Sequence, residues 1–272
     1  MKKIILIACL LILSLFSVIF LYHYRVETDV RPDQQHTDAP FSHDLLDQVY
    51  KEHVENGKVH YTNLKANPEK LEDYLDVLAG ANPEEMSFAE QLTFWINAYN
   101  ALVIKGVIDH YPTKSVRRVK LFGGFFSRLK FNVAGEMYTL NQIEHDIIRT
   151  EFVDARVHFA LVCASNSCPP LTETVFLPET IEEQLDDVTL KFIADPEKVR
   201  LDRSENIVYL SKIFKWYETD FTEGYDGVAD FLADYLPPED AEFVLREDAT
   251  FQYLDYDWSL NDLKHWSIYD IK

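Results

Sequence analysis

Past its first two dozen residues, the chain alternates short apolar runs at helical spacing with brief extended pieces. Leu45, Leu46, Val49 and Val54 predict an amphipathic helix over 41–55, closed by Asn56-Gly57. Leu71, Leu75 and Leu78 predict a second over 68–78. The strongest signal runs from Phe88 to Tyr111. Ser87 and Glu90 are spaced as a capping box, the centre is apolar nearly all round, and Pro112 stops it. Such a helix belongs in the middle of a core. Leu129–Val133 and Glu136–Thr139 flank Ala134-Gly135 as a hairpin, and Thr139 with Gln142 forms a second capping box, with Tyr138 and Ile143 as a staple. A third box, Thr180 with Glu183, predicts a helix ending at Asp195-Pro196. Val199–Asp202 and Ile207–Leu210 read as another hairpin, Val228–Tyr235 as a helix, and the apolar residues near Tyr253 as a strand.

The segment Arg156–Leu171, RVHFALVCASNSCPPL, is the pivot of this reading. Val157–Ala164 is an apolar run broken only by His158, which predicts a strand buried on both faces. It opens into Ser165-Asn166-Ser167-Cys168-Pro169-Pro170, a loop in which paired prolines forbid regular structure. The fold class expected is α+β: one globular domain of several helices around a small sheet with a buried central strand.

The N-terminus adds a compartment. Met1-Lys2-Lys3 precedes a run from Ile4 to Tyr22 without a charged residue. At about 1.5 Å per residue this run nearly reaches across a bilayer core of about 30 Å. It is too long for a cleaved signal and lacks a small-x-small site, and the lysines place that end in the cytoplasm. The expectation is a signal anchor over 1–24, a polar tether over 25–40, and a globular domain over 41–272 on the periplasmic side of the inner membrane. The chain is strongly acidic, with net charge -20. Such a surface repels nucleic acid. Arg117-Arg118-Val119-Lys120 is the densest basic run, and it is short. The expected partners are the membrane, through the N-terminal helix, and a protein or peptide-like molecule.

Chemistry is sought where polar groups interrupt apolar surroundings. Thr93, Asn97 and Asn100 form one stripe on the apolar helix, so their amides must bond loop backbone or line a site. In the helix after Thr139, phasing at about 100° per residue sets Glu144 on the buried arc with Ile143, Ile147 and Ile148, and His145 beside Arg149. A buried carboxylate must be paired, with backbone or an arginine, or be a tuned acid or base. With Cys168 as nucleophile, His158 or His145 as base, and Asn97, Asn100 or Glu144 orienting it, these residues make a thiol-dependent hydrolase or acyl-transferase site. His158 and Cys163, five apart on a strand, should face opposite ways, leaving Cys168 to fold back onto the imidazole. The rival is a binding or assembly domain closed by a Cys163–Cys168 disulfide, which an oxidising compartment favours. Neither reading calls for a cofactor. Cys163, Cys168 and His158 match no common zinc spacing, so no metal is expected.

Five ordered blocks carry a resemblance: Phe94–Ile108, Leu140–Arg149, Ala155–Leu171, Leu210–Phe221 and Tyr256–Asp262. Together they resemble the DUF547 family, a domain of unknown function, over roughly 41–262. The resemblance implies a shared fold and brings no established reaction. One departure is Val162, where the family usually has asparagine.

Overall fold

A computed structural model describes residues 41–120 and 123–263. The predicted anchor and tether, 1–40, lie outside the described residues, among which no helix is long and apolar enough to cross a membrane.

Helix α1 (Asp44–His53) buries Leu46, Val49 and Tyr50, and leads into a two-stranded hairpin, β1 (Val54–Glu55) and β2 (Lys58–Val59). Both turn residues are left-handed, Asn56 at φ 51° and Gly57 at φ 76°, as a two-residue hairpin with right-handed strand twist requires. A Cβ on Gly57 would lie 2.3 Å from the Cβ of Pro170. The hairpin thus lies against the proline pair of the central loop, and only glycine admits that approach. Next come α2 (Tyr61–Ala66) and α3 (Glu69–Ala79), which buries Leu71, Tyr74 and Leu78.

Helix α4 (Phe88–His110) is the centre of the core. Its capping box forms in full: Ser87 Oγ accepts from the Glu90 N–H while the Glu90 carboxylate accepts from the Ser87 N–H. Every residue from Leu92 to Ile104 is buried. Asn97 donates to the Phe176 carbonyl (2.8 Å) and accepts from its N–H (3.0 Å). Asn100 does the same between the Ala160 carbonyl (2.9 Å) and the Val162 N–H (3.0 Å). These two side chains satisfy backbone groups that no sheet reaches, so the polar stripe clamps irregular chain onto the core helix.

Helix α5 (Gly124–Arg128) buries Phe125 against Gly106 of α4. The hairpin β3 (Lys130–Val133) and β4 (Glu136–Thr139) follows in the expected register around Ala134-Gly135. Thr139 and Gln142 exchange both capping bonds. The helix they start, Gln142–Phe152, is wound as a π-helix, a rare form that recurs at functional sites.

The buried central strand is a correction. Val157–Ala160 is a short helix, α6, and Leu161–Cys163 is extended without a strand partner. A continuous apolar run does not distinguish a buried strand from buried helix. Here Asn100 takes the bonds that a neighbouring strand would have supplied, and Phe159 is packed among Phe192, Phe214, Phe221 and Phe231. Among the described residues the expected single sheet is instead three small ones.

Helix α7 (Ile181–Ala194) is amphipathic as predicted, but its capping box does not form; Thr180 donates to Gln184 instead. Strands β5 (Val199–Asp202) and β6 (Ile207–Leu210) pair antiparallel. Helices α8 (Lys212–Trp216), α9 (Val228–Tyr235) and α10 (Pro238–Val244) precede β7 (Thr250–Tyr253), which joins β6 in parallel. From there the chain returns as a strap across the central loop. Its backbone accepts from Asn166 and Ser167, and the Asn261 N–H donates to the Ala164 carbonyl. Helices and small sheets mix without alternation, so the architecture is α+β.

Candidate active site

A cavity of about 150 Å³ opens where the π-helix, the end of α6, the central loop, α8 and the strap meet. Glu144, His145, His158, Cys163 and Cys168 line it together with Tyr99, Tyr217, Tyr256 and Trp216.

The π-helix supplies the acidic side. Glu144 is 6% exposed. Its two carboxylate oxygens accept from two phenols, Tyr99 at 2.8 Å and Tyr217 at 2.5 Å. Burial on the inner face is as the phasing predicts, but the partners are tyrosines rather than backbone or an arginine. Burial and the adjacent Glu144 charge hold both phenols well above their ordinary pKa.

The two histidines are not equivalent. Arg149 can only donate, so its 2.7 Å bond to His145 Nδ1 commits that lone pair and puts the proton of the neutral ring on Nε2. The same guanidinium grips Asp220 through two bonds of 2.6 Å. Asp220 in turn holds His158 Nε2 at 2.7 Å. Burial would raise the Asp220 pKa, yet the bonds to Arg149 and His158 outweigh it and hold the carboxyl well below the usual range. His158 also stacks on Tyr217, with ring centroids 3.8 Å apart. Its Nδ1 has no hydrogen-bond partner among the described residues, so it is the free basic position in the cavity.

Both cysteines are free. The rival Cys163–Cys168 disulfide is not formed in this structure, where the loop uses the two sulfurs as hydrogen-bonding groups. The Cys168 sulfur accepts from the Cys163 N–H at 2.7 Å, and the Cys163 sulfur lies 3.0 Å from Ser165 Oγ and 3.2 Å from Tyr256 OH. Burial pushes Cys163 up, but hydrogen bonds from Cys168, Ser165 and Tyr256 outweigh it and leave its pKa below the ordinary thiol value. Cys168 goes the other way, raised well above that value by burial and by its neighbour. Of the two sulfur-bearing residues, Cys163 is half-buried and Cys168 is buried. Parity on a strand had set Cys163 apart from His158; with Val157–Ala160 helical that constraint disappears, and both line one cavity. Directly after Cys163, buried Ala164 is held at φ 56°, a left-handed conformation that costs roughly 1–2 kcal/mol for a non-glycine residue. The strap stabilises that turn through the bond from Asn261.

No hydrogen bond joins either thiol to either imidazole among the described residues, nor does Glu144 or an asparagine stand behind His158. Asp220 does. Asn97 and Asn100 are fully buried in backbone bonds and do not line the cavity. Residues 83–193 match the model of a family described as protein of unknown function, DUF547. The likeness to DUF547 is shown over that stretch. No curated protein and no solved structure matches the chain. The DUF547 match covers Tyr99, Glu144, both histidines and both cysteines, whereas Tyr217, Asp220 and Tyr256 lie beyond it. Sequence reasoning missed these three as site residues, although each sits in a block that carries the resemblance. The Leu210–Phe221 block reads as a short helix packed on a sheet. Ile213 and Phe214 are buried, Phe214 against Phe159, Phe192 and Phe221, while Tyr217 and Asp220 turn to the site.

Proposed function

We propose that this pocket carries out acyl transfer at a cysteine, as a hydrolase or transferase, with Cys163 as nucleophile and His158 as base. The observation that supports it most is the meeting, in one cavity, of a free thiol and an imidazole whose Nε2 is committed to Asp220 while Nδ1 is open. In this reading the Cys163 proton passes to His158 Nδ1 and the sulfur attacks an acyl carbon. The C–S bond forms as the C–N or C–O bond breaks, and the leaving group takes the proton back. Water or an amine then cleaves the thioester, its proton following the same route. Asp220 fixes the ring and offsets the imidazolium charge. Ser165 and Tyr256 support the thiolate. Substrate-free pairs of this kind commonly tighten only on binding.

The test is iodoacetamide labelling against pH. Cys163 is expected to label well below the ordinary thiol pKa of about 8.5, and Cys168 only slowly at any pH tested. Cys163→Ser should abolish the fast phase and Cys168→Ser should keep it. His158→Gln should move the profile toward that of an ordinary thiol. Labelling of Cys163 with an unshifted profile, insensitive to His158, would sink the reading.

The same reading places the domain outside the cytoplasm on an anchor formed by Ile4–Tyr22, with a protein or peptide-like acyl donor. The uncharged run and its flanking lysines support it. Protease added to spheroplasts should digest the domain, and the mature chain should keep its N-terminus. A mature chain beginning after Tyr22 would refute the anchor.

A further inference from the structure

A second groove, of about 630 Å³, lies on another face and is lined by His110, Tyr111, Lys114, Arg118, Lys120 and Asp262 among others. The segment that builds it is anchored by its apolar residues: Val116 is fully buried and Val119 is 5% exposed. Lys114, Arg117, Arg118 and Lys120 therefore project outward, all four exposed. The segment is fixed rather than loose. Ser115 Oγ accepts from the Arg117 N–H, Leu260 donates to the Lys114 carbonyl, and Lys120 sits left-handed at φ 43°.

The charge around it is unusual for this protein. The chain carries 46 acidic residues against 26 lysines and arginines, so a local excess of basic side chains runs against its overall charge. Arg149, Arg156, Arg203 and Arg246 all have acidic partners. None of Lys114, Arg117, Arg118 and Lys120 pairs with a carboxylate among the described residues. Among the described residues the groove holds one carboxylate, Asp262, and it accepts from Tyr111 OH at 2.8 Å. Three lysine and arginine charges thus face one acid.

We infer that the groove lined by Lys114, Arg118 and Lys120 binds a phosphate group. The local excess matches a phosphate dianion, and the guanidinium fork with two ammonium point charges fits its oxygens. The overall negative charge does not forbid this, because at physiological salt charges beyond about 8 Å are largely screened. The phosphate belongs to a soluble monoester or to an anionic lipid headgroup, and the two sources are separable by experiment.

The full chain is titrated with inorganic phosphate at physiological ionic strength, followed by calorimetry. In parallel it is mixed with phosphatidylcholine vesicles with and without phosphatidylglycerol. Saturable phosphate binding is expected, weakened roughly tenfold or more in Arg118→Glu/Lys120→Glu and less in Arg118→Gln/Lys120→Gln. A preference for phosphatidylglycerol vesicles that the same variants abolish, without binding of free phosphate, assigns the group to a headgroup. Both variants should keep the wild-type circular dichroism and the fast labelling of Cys163. Binding to neither probe, or binding that the variants leave unchanged, overturns the inference. Neither result bears on the acyl-transfer reading, which rests on the other cavity.

Discussion

Asp220→Ala is expected to lower stability by about 3 kcal/mol and to slow the labelling of Cys163 at neutral pH. Among the described residues the carboxylate is the one acid that Arg149 and His158 share, bonding the guanidinium twice and the imidazole once. Removing one member of a buried charged pair typically costs about 3–5 kcal/mol, because the partner is left without compensation. The low end applies here, since Arg149 and Asp220 keep 24% and 20% of their side-chain surface in water. The pH dependence has a definite sign. The carboxyl pKa is lower in the folded chain than in the unfolded one, so its stabilisation is complete above the unfolded value of about 3.9. It is lost as pH falls from there through the folded value. The difference in urea midpoint between wild type and variant should therefore be largest above about pH 4 and shrink in stronger acid. Asp220→Asn keeps the shape and can still accept from one neighbour, so it should cost less stability. It should impair Cys163 labelling nearly as much, because an amide does not offset an imidazolium. Equal stability of Asp220→Ala and wild type would show that Arg149 and His158 hold their places without it.

What was legible in the chain is what is decided locally. The ends of α4 follow from Ser87, Glu90 and Pro112, and its central place from an apolar run with no polar face. The β3–β4 turn follows from Ala134-Gly135, both left-handed at φ 54° and 79°. The Thr139–Gln142 box was equally readable, while Thr180–Glu183 was not, since Gln184 competes for the threonine. Phasing at 100° placed Glu144 correctly although the helix is π-wound. Over so few turns the two windings still bury Ile143, Glu144 and Ile148 together.

The site itself is assembled by distant pairs, which leave no period to read. His158 meets Asp220 across 62 positions, and Cys163 meets Tyr256 across 93. The cysteine loop looked self-contained, so the proline-flanked Cys168 drew attention over Cys163. In the acyl-transfer reading proposed above the roles reverse, because the strap brings Tyr256 to Cys163 and the two sulfurs share one hydrogen-bond system. Similarly, the run Val157–Ala164 is as apolar as a central strand. It is not one, because the amide of Asn100, 60 residues before Ala160, occupies the backbone positions that a strand would need.

Glu144→Ala should cost more than any other single truncation in the cavity, about 4 kcal/mol. The carboxylate is 6% exposed and is the acceptor for the buried phenol of Tyr99 and for Tyr217. Leaving a buried donor unsatisfied costs about 1–3 kcal/mol, and two donors are stranded at once. The void left by the shortened side chain adds to this. Glu144→Gln keeps the volume and one strong acceptor, so about 1–2 kcal/mol is expected. A double-mutant cycle separates the contributions: in a Tyr99→Phe/Tyr217→Phe background, where no phenol needs the carboxylate, Glu144→Ala should cost markedly less than in wild type. The effect should also reach the chemistry on one side only. Tyr217 stacks on His158, so Tyr217→Phe, which frees that ring from Glu144, should shift the pH profile of Cys163 labelling. Tyr99→Phe, with no contact to the imidazole, should leave it in place. Additive costs in the cycle would show that the two phenols find other partners, and that Glu144 does not hold this wall of the cavity together.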